Sequence, residues 1–281
     1  MTVLLPRSID EAFAALAAQP DATLLAGGTD LMVAVNAGRH PLGTVIALDR
    51  VDGLRQWRHH DDQVELGAGL TYTDLGQPGL AELVPGLAQA ARTVGSPQIR
   101  NAGTIGGNLA TASPAGDTLP VLAALDAVVL VESIAGSREV PFDQFCIGPK
   151  QNALQSGELI VGVRVPTARG PQEYLKIGTR NAMVISVASV AVMTDLIDRR
   201  VTVGLGSVGP TILRAHEAEA WVVDHIDWAN RSIPDPRTAG TFGDLVSRAA
   251  LPIDDHRSTA DYRRHGVGVL ARRALTRIFA A

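Results

Sequence analysis

The spacing of apolar and polar positions switches repeatedly between helix and strand periods along the chain. In SIDEAFAALAAQ (8–19), Ile9, Ala12, Phe13 and Leu16 share one helical face, and Ser8 with Glu11 three residues on makes a capping box. DATLLAGGTD (21–30) predicts an apolar strand that breaks at a glycine pair. LMVAVNAG (31–38) predicts a helix stopped by Gly38, and TVIALD (44–49) a second strand. A helix between two strands implies parallel pairing, hence a small α/β unit.

Beyond Gly53 the texture changes. QVELGAGLTY (63–72) predicts a strand and LVPGLAQAARTV (83–94) a helix, followed by a glycine-rich stretch. TLPVLAALD then predicts a short helix, and AVVLVES, REVPF and ELIVGVRVP predict strands. From about Pro171 the pattern shifts again. EYLKIG, VISVASVAVM and VTVGLGSV predict a three-stranded antiparallel meander. AHEAEAWVV, FGDLVSRAA and STADYRRHGVGVLARRALTRIFAA predict helices, with HIDWANRSIPDPRTAG as a connector. The expected division is 1–170, with subdomains at about 1–55 and 56–170, and then 171–281.

Composition narrows the function classes. The 281 residues are 46% hydrophobic and 19% charged, which suits one large globular domain or two smaller ones. A net charge of −4 argues against a broad nucleic-acid surface. One cysteine, Cys146, excludes an intrachain disulfide and an all-cysteine metal or cluster site. The start lacks a secretion-signal pattern, and the most apolar windows are too short or interrupted to span a bilayer. A soluble, cytoplasmic protein is the expectation.

Two stretches carry the candidate chemistry. LLAGGTDL (24–31) and GTIGGNLAT (103–111) each place Gly-Gly after an apolar segment and before a small polar residue. Glycine lets backbone N–H groups approach a ligand closely, and successive N–H groups form an anion nest suited to phosphate oxygens. Thr29 and Thr104 add hydroxyls. Either pair alone is equally well read as a tight turn, and neither fits the G-x-G-x-x-G or Gly-Lys-Ser/Thr pattern. The second stretch goes further, with a polar tail through Asn108, Thr111, Ser113 and Asp117.

AGGTDLM, SPQIRNAGTIGGNLATASPAGD, GTRNAMVISVAS and STADYRRHGVGVLARRAL together resemble the flavin-binding (medium) subunit of xanthine dehydrogenase-type molybdenum hydroxylases. The resemblance covers nearly the whole chain, and its later part is closest in texture to purine-type members. It implies an α+β fold: a PCMH-type FAD-binding domain of two α/β subdomains, then a C-terminal domain with a three-stranded antiparallel sheet and helices. It also implies non-covalent FAD. By position, Leu24, Leu25, Ala26, Gly27, Gly28, Thr29, Asp30 and Leu31 wrap the diphosphate, and Thr104, Ile105, Gly106, Gly107 and Asn108 form the second loop. Thr111 and Asp117 contact FAD further along, Asp117 on the adenosine side. Val94, Ile160 and Lys176 fall at flavin-lining positions, although Ile160 also reads as strand core and Lys176 as a solvated strand residue. The implied partners are a large molybdopterin-binding subunit and a small [2Fe-2S] subunit. Electrons would pass from partner clusters to FAD and on to NAD or another acceptor.

Other residues attract less demanding explanations. His59, His60, His216, His225, His256 and His265 lack ligand spacing and read as surface residues. Asp254 and Asp255 read as a helix-entry feature, Cys146 as a small buried residue, and Arg263, Arg264, Arg272 and Arg273 as a solvated face. No catalytic acid, base, nucleophile or metal ligand is expected. Within the family, the alternative is the medium subunit of a related carbon monoxide, aldehyde or other N-heterocycle dehydrogenase. Outside it, the rivals are a flavin oxidase with tethered FAD, which needs a His or Cys absent from both glycine loops, and a CoA- or nucleotide-binding regulatory module.

Overall fold

The computed structural model describes residues 2–279; Met1, and Ala280 and Ala281 of the expected last helix, lie outside them. A parallel three-stranded sheet comes first, with Thr44–Ala47 between Thr2–Leu4 and Thr23–Leu25. Its helix Ile9–Ala18 begins at Ser8, whose side chain accepts the Glu11 N–H, and buries Ala12, Phe13 and Leu16. The N-terminal strand Thr2–Leu4 was not expected from the sequence. Helix Leu31–Asn36 ends before Gly38, which takes φ +68°.

An antiparallel five-stranded sheet follows, in the order Trp57–His60, Gln63–Gly67, Leu159–Pro166, Val128–Ser133, Gly136–Pro141. Helices Pro85–Thr93, Ile105–Thr111 and Leu119–Ala124 bury Leu87, Ile105, Leu109 and Leu122 in the core that this sheet shares with the first unit. The glycine-rich stretch is therefore largely helical and not an open loop.

The back of the chain forms the expected meander, Gln172–Gly178, Ser186–Asp195 and Arg200–Gly206, extended by the two-residue strand Leu213–Arg214. One face of this sheet packs on helices Pro85–Thr93 and Leu119–Ala124. The contact is backbone-close, since a β-carbon on Gly204 would sit 1.9 Å from the Pro120 carbonyl oxygen. The other face is covered by helices His216–Val223, Thr238–Ala249 and Ala260–Phe279. Coverage of both faces explains why Ser186–Thr194 is buried throughout, and why its sequence reads as a near-continuous apolar run.

The last helix departs from the expected solvated arginine face at one position. Arg272 and Arg273 are exposed, but Arg263 is buried. Its guanidinium donates to the carbonyls of Val187 (2.7 Å) and Ser207 (2.9 Å), just past Ser189 and Gly206, where strands Ser186–Asp195 and Arg200–Gly206 stop pairing with each other, and to Asp255 at 2.6 Å. A cation so placed satisfies carbonyls that the sheet ladder no longer reaches. Asp255 also accepts the N–H groups of Arg257 and Ser258, while Asp254 accepts that of Ala260. Both acids thus serve the helix entry.

Candidate functional site

The two glycine stretches meet. The first follows strand Thr23–Leu25, and its Gly28 takes φ +70°, a left-handed conformation that suits glycine. The second begins at Thr104, whose side chain caps helix Ile105–Thr111. Around their junction lie two adjoining cavities of about 430 and 370 Å³, sizes typical of small-molecule sites. Leu25, Ala26, Gly27, Thr104 and Gly107 line both.

The larger cavity is mainly apolar, walled by Leu24, Leu48, Val51, Leu54, Leu159 and Ile160. Asp49, Arg55, Thr71 and Asn101 also line it; the other cavity is the more polar, from Thr29 and Asp30 through Asn108 and Thr111 to Asp117, and is closed by Val94 and the segment Met183–Ile185. All the sequence-nominated residues line one cavity or the other except Ile105 and Lys176. Ile105 is fully buried in the core. Lys176 stands behind the wall.

The two stretches offer different chemistry. Among the described residues, the N–H groups of Gly27, Gly28, Thr29 and Asp30 donate to no protein acceptor. Those of Ile105, Gly106, Gly107 and Asn108 are all taken, by Leu70 O (2.9 Å), Ala68 O (2.8 Å), Thr104 Oγ1 (3.0 Å) and Thr104 O (3.0 Å). The expectation of two equivalent anion nests is therefore corrected: only the first stretch presents free donors. The second contributes shape. A β-carbon on Gly106 would come within 2.6 Å of Ala68, whereas one on Gly107 would meet only Thr104 Oγ1, at 3.0 Å. Asn108 accepts from Thr118 through its amide oxygen, and its amide nitrogen has no partner among the described residues.

Asp117 belongs to a buried network that joins front and back. One carboxylate oxygen accepts from Lys176 Nζ at 2.6 Å, and the other from Tyr174 Oη at 2.9 Å and Ser186 Oγ. Lys176 Nζ also reaches the carbonyls of Thr93 (3.1 Å) and Val184 (3.2 Å). Its side chain is 11% exposed, so it is not the solvated strand residue that one reading of the sequence allowed. Burial, reinforced by the Asp117 charge, pushes the Tyr174 phenol far above its usual range.

Sequence reasoning missed Leu48, Val51, Leu54, Ala68 and Leu159, because cavity walls drawn from separate strands leave no local pattern. It also missed Tyr72, which lines the polar cavity from the first turn of a short helix. The six nominated histidines are exposed, and His40, which was not singled out, pairs with Thr23 at 3.1 Å. Among the described residues no three of His, Cys, Asp and Glu gather as a metal site would require. Cys146 is buried, which pushes its thiol up to about 11. No helix among the described residues is long and apolar enough to cross a membrane.

These features fit FAD: free backbone donors for an anionic diphosphate, flanked by an apolar cavity and a polar one. Residues 1–168 match the family model of the FAD binding domain in molybdopterin dehydrogenase, and residues 173–278 that of the CO dehydrogenase flavoprotein C-terminal domain. The nicotine 6-hydroxylase medium subunit of Paenarthrobacter nicotinovorans is 31% identical, over 96% of this chain and 94% of its own. The carbon monoxide dehydrogenase medium chain of Hydrogenophaga pseudoflava is 30% identical, over 98% and 96%. A solved structure of carbon monoxide dehydrogenase from that organism, lacking the Mo-pyranopterin moiety of the molybdenum cofactor, superimposes with a TM-score of 0.87 at 29% identity, covering 100% of this chain and 97% of the other. The chain belongs to the FAD-binding medium-subunit family of the molybdenum hydroxylases, and is an oxidoreductase flavoprotein subunit.

Proposed function

We propose that this chain holds FAD non-covalently between its two glycine stretches and relays electrons through it. A large molybdopterin-binding subunit would oxidise the substrate, and a small [2Fe-2S] subunit would deliver the electrons. The observation that carries the reading is the run of free N–H groups from Gly27 to Asp30, opening onto a groove with no histidine or cysteine among its lining residues. Bound FAD supplies two-electron redox chemistry that no side chain here offers.

The residues of the chain bind and orient. Leu24–Leu31 wrap the diphosphate, with Thr29 adding a hydroxyl; Gly106 and Gly107 keep the facing wall thin; Asn108 and Thr111 supply polar contacts. Val94 and Ile160 give apolar surface to the ring systems, while Lys176 fixes Asp117 in the wall. The electrons would leave to NAD⁺ or another soluble acceptor in the cytoplasm. Hydroxylation of a purine, which the sequence favours, or oxidation of another N-heterocycle, an aldehyde or CO leaves this chain the same task, because the partner chooses the substrate.

Acid precipitation of the purified yellow chain tests the central claim: FAD should stay in the supernatant at about one per chain. Flavin in the pellet, or FMN in place of FAD, would refute it. The isolated chain should carry no stoichiometric iron or molybdenum and hydroxylate nothing. Turnover by the lone, metal-free chain would contradict the division of labour. Rapid mixing of the reduced chain with NAD⁺ tests the acceptor, and a flavin that stays reduced would reject it.

A further inference from the structure

Tyr72 lies against the second glycine stretch. Its N–H donates to the Gly103 carbonyl at 3.1 Å, and a β-carbon on Gly103 would come 2.7 Å from its ring and 3.2 Å from Thr29 Oγ1. The residue is only 7% exposed and lines the polar cavity; its hydroxyl, which is not sealed from solvent, has no hydrogen-bond partner among the described residues. A tyrosine whose ring is buried normally presents its hydroxyl to a partner.

The nearby carboxylates do not fill that role. Asp117 already accepts from Tyr174, Ser186 and Lys176, and Asp30 faces the Lys150 ammonium at 3.6 Å. Burial, then the charges of Asp117 and Asp30, push the phenol far above its usual range, so it remains a neutral donor. The other unpaired groups around the cavity are also uncharged donors: the N–H groups of Gly27–Asp30 and the Asn108 amide. Of the cations around the two cavities, Lys176 and Arg55 are committed to Asp117 and Asp74, while Arg100 and Arg180 bond backbone carbonyls of Val94, Gly95, Ala182 and Met183. Neutral donors converging on one space suit an anionic acceptor supplied by the ligand.

We propose that the Tyr72 hydroxyl donates a hydrogen bond to the diphosphate of the bound dinucleotide, completing the donor set of the first glycine stretch. This rests on the reading of the groove as the FAD site. Tyr72→Phe removes the hydroxyl and keeps the ring. The full-length chain should then show an unchanged apo melting temperature, since no protein hydrogen bond is lost. FAD affinity, measured by quenching of flavin fluorescence, should fall by about tenfold or more, as for a bond to a charged oxygen. At saturating FAD the visible spectrum should match that of the wild type. An unchanged Kd overturns the proposal. So does a displaced flavin spectrum, which would put the hydroxyl on the ring system, or a lowered apo melting temperature with Kd intact, which would make its role structural. A wild-type chain that bound no FAD would instead refute the reading of the groove itself.

Discussion

A β-carbon on Gly27 would sit 1.7 Å from the carbonyl oxygen of Ala102, so the two glycine stretches touch backbone to backbone. The contact brings the free donors of the first stretch opposite the thin wall of the second, and leaves no room for any side chain at position 27.

Gly27→Ala should therefore push the stretches apart. The expected result is loss of most bound FAD with far-UV circular dichroism close to wild type, because the displaced segment lies outside the buried sheets. Full FAD occupancy in this variant would show that the close approach is dispensable.

Gly107→Val tests the facing wall for a different reason. Gly107 is helical and not left-handed, and its N–H is already occupied by Thr104, so neither strain nor a lost phosphate bond drives the effect. The isopropyl group would instead enter the groove shared by both cavities. We expect affinity for FAD to drop about a hundredfold or more, equivalent to about 3 kcal/mol. Equilibrium dialysis with retained helicity checks it; unaltered affinity would place the ligand elsewhere.

Lys176→Met removes one partner of a buried ion pair and leaves the Asp117 carboxylate with two neutral donors. Breaking such a pair costs roughly 3–5 kcal/mol, and the remaining bonds from Tyr174 and Ser186 place this case at the lower end. Urea denaturation should show the loss. Adding Asp117→Asn should recover part of it, since the unpaired charge disappears; strictly additive losses would argue against a coupled pair.

Asp255 predicts an acid limb. Burial raises its carboxyl, but hydrogen bonds from the Arg257 N–H, the Arg263 side chain and the Ser258 N–H outweigh that and bring it from 3.8 to about 2. A depressed folded value means the stabilisation is complete above the unfolded value and disappears as pH falls from 3.8 towards 2. The carboxylate is partly exposed, so the contribution is on the order of 1–2 kcal/mol after screening. Asp255→Asn should flatten this limb in urea midpoints measured down to about pH 2. An unchanged limb would assign acid unfolding to other carboxylates.

Much of this architecture was readable from periodicity. Ser8 and Glu11 mark the first helix, Gly38 ends the second, and the long apolar run near Val190 reports a strand covered on both faces. Of the residues that the family resemblance named, all but Ile105 and Lys176 line the groove, although others of its lining residues went unnamed. What escaped was chemistry that depends on contacts distant in sequence. Glycine's poor helix propensity disguised Ile105–Thr111 as a loop, and only Leu70 and Ala68, over thirty residues earlier, reveal that its first N–H groups are already taken. Arg263 reads as one more charge in a basic helix until the ends of two strands are seen beneath it. Tyr72 carries no local signal at all.

The network around Asp117 bears on how such subunits can change by recombination. The acid comes from the front of the chain, while its lysine, tyrosine and serine come from the sheet at the back. A hybrid that joined this front to a relative's back would inherit a buried carboxylate whose donors are set by the other parent. The wall of the groove is thus common property of both parts, and an exchange at their junction succeeds only when residues 174, 176 and 186 still answer to 117.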